Sequence, residues 1–410
     1  MNSCATMRTS EAPSSIMWKT VSEDCNLACD YCYYSTCAGK PGKTIRRIED
    51  KLLESVVQQM MQASRGAVSF AWQGGEPLLA GKAFFEKVVA LQAHYAPPRT
   101  TISNSVQTNG TLIDEEWAQF FRTYSFLVGV SVDGPESIHD KRRKTGSGAG
   151  SYKQVMRGID ALRQANVSFN ILMVIHEDNV REAKALMQWL KEQRIEYAQF
   201  IPCMNFRSQD VEASGTYRIT PEEYGQFLCD VFDLWLEDGQ PQCSIRIFDN
   251  WLQTLIGDET ELCTYRTSCP KMLILEQNGD AYPCDFYIHD QYKLGSAAEE
   301  SLAELMEASK WELFEDQQKI GLDQCHSCSY WHYCHGGCPR NRMTEKPGSQ
   351  GTLQETDYFC QSYQMLYKYG EDRMRTLAKD VMQRIKRSYP GRNERCICGS
   401  GKKYKQCCGS

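Results

Sequence analysis

Apolar and polar positions in the first half of the chain follow two alternating rhythms. Short runs rich in β-branched and aromatic residues, at 15–22 (SIMWKTVS), 66–72 (GAVSFAW), 101–107 (TISNSVQ), 126–132 (FLVGVSV), 167–175 (VSFNILMVI) and 196–202 (EYAQFIP), read as strands. Between them, 48–63, 82–95, 114–123, 151–165 and 178–193 place apolar residues at helical spacing. Strand and helix in strict alternation imply parallel pairing through right-handed crossovers, hence a barrel or a doubly wound sheet. Six strands do not close an eight-stranded barrel, so an open, partial (β/α)6 barrel is expected. In such folds chemistry gathers beyond the C-terminal strand ends. The informative residues fall there: CNLACDYC after the first strand, QGGEP after the second, QTNG after the third, DGP after the fourth and CMN after the sixth.

From about 240 the rhythm breaks into short pieces rich in Cys, Gly and Tyr, with 300–315 as the one long periodic stretch expected before a last helix at 361–388. Little apolar surface is available to such a region, so metal is expected to cross-link it. YPGRNE reads as a turn-like linker, and RCICGSGKKYKQCCGS as a separate small module. The expected units are therefore a partial barrel over 1–235, an irregular cysteine-rich domain over 236–365, a helix and linker over 366–389, and a small separate tail over 390–410.

Composition narrows the function classes. A net charge of -6 argues against electrostatic nucleic-acid binding, and no run approaches the length needed to span a bilayer. The opening MNSCATMRTSEAPSS has no hydrophobic signal core, so a cytoplasmic protein is expected. Twenty cysteines are then the anomaly. In a reducing compartment clustered thiols point to metal rather than disulfides.

Cys25, Cys29 and Cys32 are separated by three and two residues, a spacing that can wrap one cubane cluster with each thiolate on its own iron. Three thiolates leave one iron of a four-iron, four-sulfur (4Fe-4S) cluster open to a small-molecule chelate. An incomplete zinc site or plain packing would use the same residue types. CNLACDYC resembles the C-x3-C-x2-C signature of radical S-adenosylmethionine (SAM) enzymes, in which the methionine amine and carboxylate chelate that iron. The resemblance places Tyr31 near adenine, and Gly74, Gly75 and Glu76 of GGEP round the methionine ammonium. It places Ser131 and Asp133 at the ribose hydroxyls, Arg143 at the methionine carboxylate, and Met204 beside adenine.

Cys263, Cys269, Cys284, Cys325, Cys328, Cys334, Cys338 and Cys360 supply eight more thiols. CHSCSYWHYCHGGC is similar to the SPASM domain attached to radical SAM enzymes that modify peptides and proteins; two zinc sites are the alternative for these spacings. The SPASM resemblance implies an interleaved ligand set, Cys263, Cys269, Cys284 and Cys338 for one auxiliary 4Fe-4S cluster and Cys325, Cys328, Cys334 and Cys360 for a second. With the SAM-binding cluster that makes three. YPCDFY at 282–287, QFIPC at 199–203 and IRIFDN at 245–250 resemble the anaerobic sulfatase-maturating enzymes. Those enzymes oxidise a Cys or Ser side chain in a Cys/Ser-x-Pro-x-Arg segment of an unfolded sulfatase to Cα-formylglycine. The resemblance implies Asp285 as the catalytic base, a SAM-derived radical that removes a Cβ hydrogen, and an electron donor such as flavodoxin or ferredoxin. A monomer is expected.

CICGSGKKYKQCC resembles the SEC-C zinc motif, with Cys396, Cys398, Cys407 and Cys408 round one Zn. Lys402, Lys403 and Lys405 would give it a basic face, solvated or used to grip a partner. Two rivals stay open: a SPASM maturase that installs thioethers, epimers or carbon-carbon bonds in another ribosomal peptide, and a noncatalytic iron-sulfur electron carrier.

Overall fold

A computed structural model describes residues 13–34, 44–203, 219–342, 356–388, 393–395 and 400–407. Every expected strand of the first half forms: β1 Ser15–Lys19, β2 Ala67–Gln73, β3 Thr101–Thr108, β4 Leu127–Ser131, β5 Phe169–Ile175 and β6 Tyr197–Pro202. The intervening helices are α1 Asp50–Gln62, α2 Lys82–Tyr95, α3 Glu115–Thr123, a short α4 Glu136–Arg142, α5 Tyr152–Gln164 and α6 Ala183–Glu192. All neighbouring pairs from β1 to β6 are parallel.

The sheet is larger than the periodicity suggests. Four further strands, β7 Ser244–Ile245, β8 Leu273–Leu275, β9 Asp280–Tyr282 and β10 Gly295–Ser296, give the order β10-β9-β8-β1-β2-β3-β4-β5-β6-β7. The sheet does not close, consistent with a partial barrel. β8 pairs in parallel with β1, so the sheet runs across the expected boundary at 235/236 and brings the second half against the first strand.

Side-chain alternation gives these strands two unlike faces. Val68, Phe70 and Trp72 of β2 are buried, and Trp72 meets Phe84 and Phe85 of α2 edge-on at 6.0 and 5.7 Å. The alternate positions, Ser69, Ala71 and Gln73, share the opposite face, where small and polar residues leave room. On the helix-covered face the amide of Asn104 bridges elements. It accepts from Trp72 Nε1 at 2.9 Å and Gln92 Nε2 at 3.0 Å, and donates to Gln92 Oε1 at 2.8 Å.

Two helices of more than ten residues were not anticipated. α7 Pro221–Trp235 starts at a capping box between Thr220 and Glu223, and α8 Arg246–Ile256 buries Ile247, Phe248 and Trp251. The expected 300–315 element is two helices, Leu302–Met306 and Lys310–Lys319. Their Leu302, Leu305, Trp311 and Phe314 join the main core, so the cysteine-rich half buries more apolar surface than its composition implied. The C-terminal helix Cys360–Ser388 lies along α7 and α8, where Gly370 lets Phe232 and Trp251 approach its backbone.

Replacing Asn104 by Leu should orphan the Trp72 indole N–H and both ends of the Gln92 amide, costing about 3 kcal/mol. Thermal unfolding should show a lower midpoint with unchanged secondary structure; an unchanged midpoint would contradict the bridging role.

Candidate functional site

The loop after β1 carries Cys25, Cys29 and Cys32 to the C-terminal mouth of the sheet. It is fixed from both sides. Gly75 N donates to Ser22 O at 2.6 Å and Glu76 N to Asp24 O at 2.8 Å, while Ala28 N donates to Lys144 O at 2.6 Å. A Cβ on Gly75 would overlap the Asp24 carbonyl, so glycine is needed for this close approach. The Glu76 carboxylate is fully buried and accepts from Leu78 N, Thr108 Oγ1 and Asn109 N at 3.0, 2.8 and 2.7 Å. It thereby locks the QTNG loop. Asn109 Nδ2 in turn reaches Asn26 Oδ1 at 2.8 Å and Cys25 Sγ at 3.8 Å. Burial lifts Glu76 to about 7 even with these donors. Burial first, then Glu76 and the neighbouring thiols, push Cys25 up to about 12. Burial does the same to Cys29. Cys25 and Cys29 cannot both stand as thiolates here without a cation beside them.

Asp133, just past β4, is fully buried and heavily subscribed. Arg143 Nε and its terminal nitrogen reach it at 2.9 and 3.1 Å, Val174 N donates at 3.0 Å, and the Tyr31 hydroxyl donates as well. Burial would raise this carboxyl, but Arg143 outweighs it and holds it below the usual range. Asp133 and Arg143, expected to serve different parts of one ligand, are thus bound to each other. His139 sets both: Nδ1 accepts from Asp133 N at 3.3 Å, which puts the ring proton on Nε2, 3.0 Å from Ser151 Oγ. Ser151 Oγ donates to Arg143 O at 2.8 Å. Ser131 Oγ, at the end of β4, accepts from Gln107 Nε2 at 3.1 Å.

Asp285 follows the β8–β9 hairpin. One carboxylate oxygen pairs with the buried Lys19 ammonium of β1, and the other accepts from the Tyr33 hydroxyl at 2.6 Å. Lys19 also donates to Gln73 Oε1 at 2.9 Å and lies 4.5 Å over the Tyr34 ring. Tyr34 donates to the buried Glu276 at 2.7 Å. The cysteine loop thus supplies Tyr33 and Tyr34 to the same constellation that holds Asp285.

The remaining thiols fall into two interleaved groups. Burial first, then Cys338 and Cys263, push Cys269 up to about 12, and burial with Cys338 and Cys269 among its neighbours raises Cys284. Cys360 is pushed to about 12 by burial and then by Cys334, Asp357, Cys325 and Cys328. Cys338, adjacent in sequence to the second group, sits electrostatically with the first. Cys325, Cys328, Cys334 and Cys360 line a cavity of about 470 Å³. Buried Asp357 joins the groups, accepting from Cys338 N and Asn341 Nδ2 at 2.9 Å and from Phe359 N at 2.8 Å.

Known proteins resemble this chain in sequence and in fold. A family model described as the radical SAM superfamily matches residues 20–190, one described as an iron-sulfur cluster-binding domain, SPASM, matches 268–329, and a SEC-C motif matches 392–410. A cysteine-type anaerobic sulfatase-maturating enzyme of Clostridium perfringens (strain 13) is 35% identical over 372 residues, covering 90% of this chain and 99% of that relative. The chain belongs to the anaerobic sulfatase-maturating enzymes. A serine-type anaerobic sulfatase-maturating enzyme of Bacteroides thetaiotaomicron is 33% identical, covering 90% of this chain and 92% of the relative. The solved structure of native anSMEcpe with bound AdoMet superposes with a TM-score of 0.82 at 36% identity, covering 90% of this chain and 99% of that one. Streptococcus suis SuiB bound to S-adenosylmethionine, at 16% identity and a TM-score of 0.58, shares the fold.

The residues of this anaerobic sulfatase-maturating enzyme fit SAM and iron-sulfur clusters. Three thiols with a glycine cradle beside them suit a cluster with one open iron. Among the described residues no three His, Cys, Asp or Glu side chains close around a single metal ion. In the second half Cys269 has Cys338 and Cys263 as electrostatic neighbours, and Cys360 has Cys334, Cys325 and Cys328. Met204, Cys396, Cys398 and Cys408 lie outside the described residues; Cys407 accepts from Ser400 Oγ at 3.3 Å, and Lys402, Lys403 and Lys405 are exposed. Among the described residues no helix is long and apolar enough to cross a membrane. Sequence reasoning missed Lys19, Gln73, Tyr33, Asn109 and His139. A lysine inside the apolar β1 run was the one available signal, since a buried ammonium needs an anion.

Burial holds His139 down at about 4, with Arg143 reinforcing it and Asp133 and Asp140 opposing. Between an unfolded value of about 6.5 and that folded value, the unfolded chain binds a proton the folded one does not. Stability is therefore lost as pH falls through this window. His139→Gln should flatten the decline of the melting midpoint between about pH 6.5 and 5; parallel declines would contradict it.

Proposed function

We propose that this enzyme oxidises a Cys or Ser side chain in the Cys/Ser-x-Pro-x-Arg segment of an unfolded sulfatase to Cα-formylglycine, with Asp285 as the base. The supporting observation is the constellation of Lys19, Tyr33 and Asp285, which puts an oriented carboxylate in the same lumen as the cysteine loop. For a Cys target the first stage removes a hydrogen atom from Cβ, a proton from the thiol and one electron. Water then replaces the sulfur of the thioaldehyde, releasing hydrogen sulfide. Bound SAM and the clusters supply the acceptors for the hydrogen atom and the electron, chemistry beyond any amino-acid side chain.

The chain's own residues do the rest. Cys25, Cys29 and Cys32 would hold the SAM-binding 4Fe-4S cluster, Cys263, Cys269, Cys284 and Cys338 the first auxiliary cluster, and Cys325, Cys328, Cys334 and Cys360 the second. Tyr31, Gly74, Gly75, Ser131, Asp133, Arg143 and Met204 would line the SAM site. Glu76 serves it by holding the strand-end loops, since its carboxylate is already engaged by three donors. Asp285 accepts the thiol or hydroxyl proton, with Lys19 and Tyr33 fixing its direction. The tail cysteines Cys396, Cys398, Cys407 and Cys408 would hold one Zn as a passive knuckle. A cytoplasmic monomer served by a flavodoxin or ferredoxin completes the reading.

Cys-type and Ser-type relatives match at similar identity, so both peptides belong in the test. Reconstituted enzyme incubated without oxygen with SAM, reductant and a Cys-x-Pro-x-Arg or Ser-x-Pro-x-Arg peptide should yield formylglycine by mass spectrometry. Asp285→Asn should lower product formation at least about a hundredfold, within the range for general-base catalysis, while iron content and SAM binding persist. Unchanged product in the variant would overturn the role of Asp285. A cross-linked peptide, or SAM cleavage alone, would overturn the proposed reaction.

A further inference from the structure

His176 follows β5 directly and is fully buried. Its surroundings fix it on every side but one. Its backbone N donates to Asn179 Oδ1 at 2.8 Å, and Asn179 Nδ2 donates to Val174 O at 2.9 Å, so the turn is closed. Nδ1 accepts from Asp178 N at 3.2 Å, which leaves the ring proton on Nε2. The ring stacks on Tyr31 with centroids 5.7 Å apart and planes 27° apart. Burial, with Arg142 adding to it, holds the imidazole below its ordinary pKa, so the ring is a neutral donor.

That donor has no partner among the described residues. The nearest carboxylate oxygen, Asp133 Oδ2, is 4.0 Å away, beyond hydrogen-bond range, and already accepts from Arg143 Nε and the Tyr31 hydroxyl. A buried N–H left unmade is costly, and such groups in native proteins are regularly answered by a ligand or an ordered water. The unanswered N–H points to the corner where Tyr31, Asp133 and Arg143 converge. A ligand there must present an acceptor oxygen beside a carboxylate. A sugar hydroxyl supplies that oxygen without adding charge beside the already engaged Asp133 carboxylate, accepting from the imidazole.

We infer that His176 Nε2–H is a SAM-positioning donor that hydrogen-bonds one ribose hydroxyl oxygen of bound SAM. The inference rests on the SAM-site reading above and adds a residue and an atom to it. His176 acts by fixing the sugar, and with it the direction of the 5′ carbon, and takes no part in bond breaking.

The test is equilibrium binding to the reconstituted, unreduced holoenzyme, so it needs no turnover. SAM and its 2′-deoxy and 3′-deoxy analogues are compared on wild type, His176→Phe, which keeps a ring to stack on Tyr31, and His176→Gln, which keeps an N–H near the Nε2 position. His176→Phe should weaken SAM binding about tenfold, as for loss of one ligand hydrogen bond. The difference between wild type and His176→Phe should vanish for one of the two deoxy analogues, while His176→Gln should stay within about threefold of wild type. An equal loss for SAM and both analogues would overturn the inference in favour of a purely structural role. No loss at all would overturn it in favour of a buried water. Should the Phe variant fail to hold its clusters, His176→Gln decides alone: retained preference for SAM over one deoxy analogue supports the inference, and lost preference overturns it. A wild type that binds no SAM would instead overturn the SAM-site reading itself.

Discussion

A lysine ammonium inside an α/β barrel requires an anion beside it, and Lys19 finds Asp285. The position and direction of the proposed base depend on that pairing. Lys19 ends β1, the strand that delivers the cysteine loop, while Asp285 lies next to Cys284, beyond the strand that pairs with β1. One buried ion pair therefore joins the segment expected to make a radical to the segment expected to receive an electron. Losing one member of such a pair leaves an uncompensated charge, at a cost of about 3–5 kcal/mol. Gln73 and the Tyr34 ring complete the shell of the ammonium, so the arrangement is oriented as well as neutralised.

The thiols impose a second constraint. Cys25, Cys269 and Cys360 are held above their ordinary pKa by burial first and then by neighbouring acidic groups and thiols. Metal resolves both penalties at once by binding them as thiolates, which couples folding of the second half to cluster assembly. Asp357 shows how closely the two auxiliary groups are integrated, since it ties the Cys338 backbone to the start of the C-terminal helix. That helix packs along α7 and α8, so the cysteine-rich half is anchored to the barrel by ordinary apolar contacts too.

The barrel was legible because its signals are local. A period of two in the strands and 3.6 in the helices located six strands and the helices between them to within a few residues, apart from the later start of α6 at Ala183. Cys25, Cys29 and Cys32 lie in one loop after β1, inside the stretch that the radical SAM family model matches. What stayed hidden depends on contacts between distant segments. Tyr33 meets Asp285 across a separation of 252 residues, and Tyr34 meets Glu276 across 242. No local pattern could show that Glu76 is occupied by the QTNG loop more than thirty residues on, and even the pairing of Asp133 with Arg143, ten residues apart, depends on the turn between them. The short strands β7 to β10 escaped because two or three residues carry no detectable period, and α8 because its apolar positions were read as part of an irregular region.

The central claim is that the radical chemistry at Cys25, Cys29 and Cys32 and the base at Asp285 act on one side chain in one cavity. A Cys-x-Pro-x-Arg peptide deuterated at the cysteine Cβ tests this most directly, by mass spectrometry of the 5′-deoxyadenosine formed alongside product. Deuterium in the deoxyadenosine, in step with formylglycine, is the expected result. Formylglycine accompanied by unlabelled deoxyadenosine would contradict it.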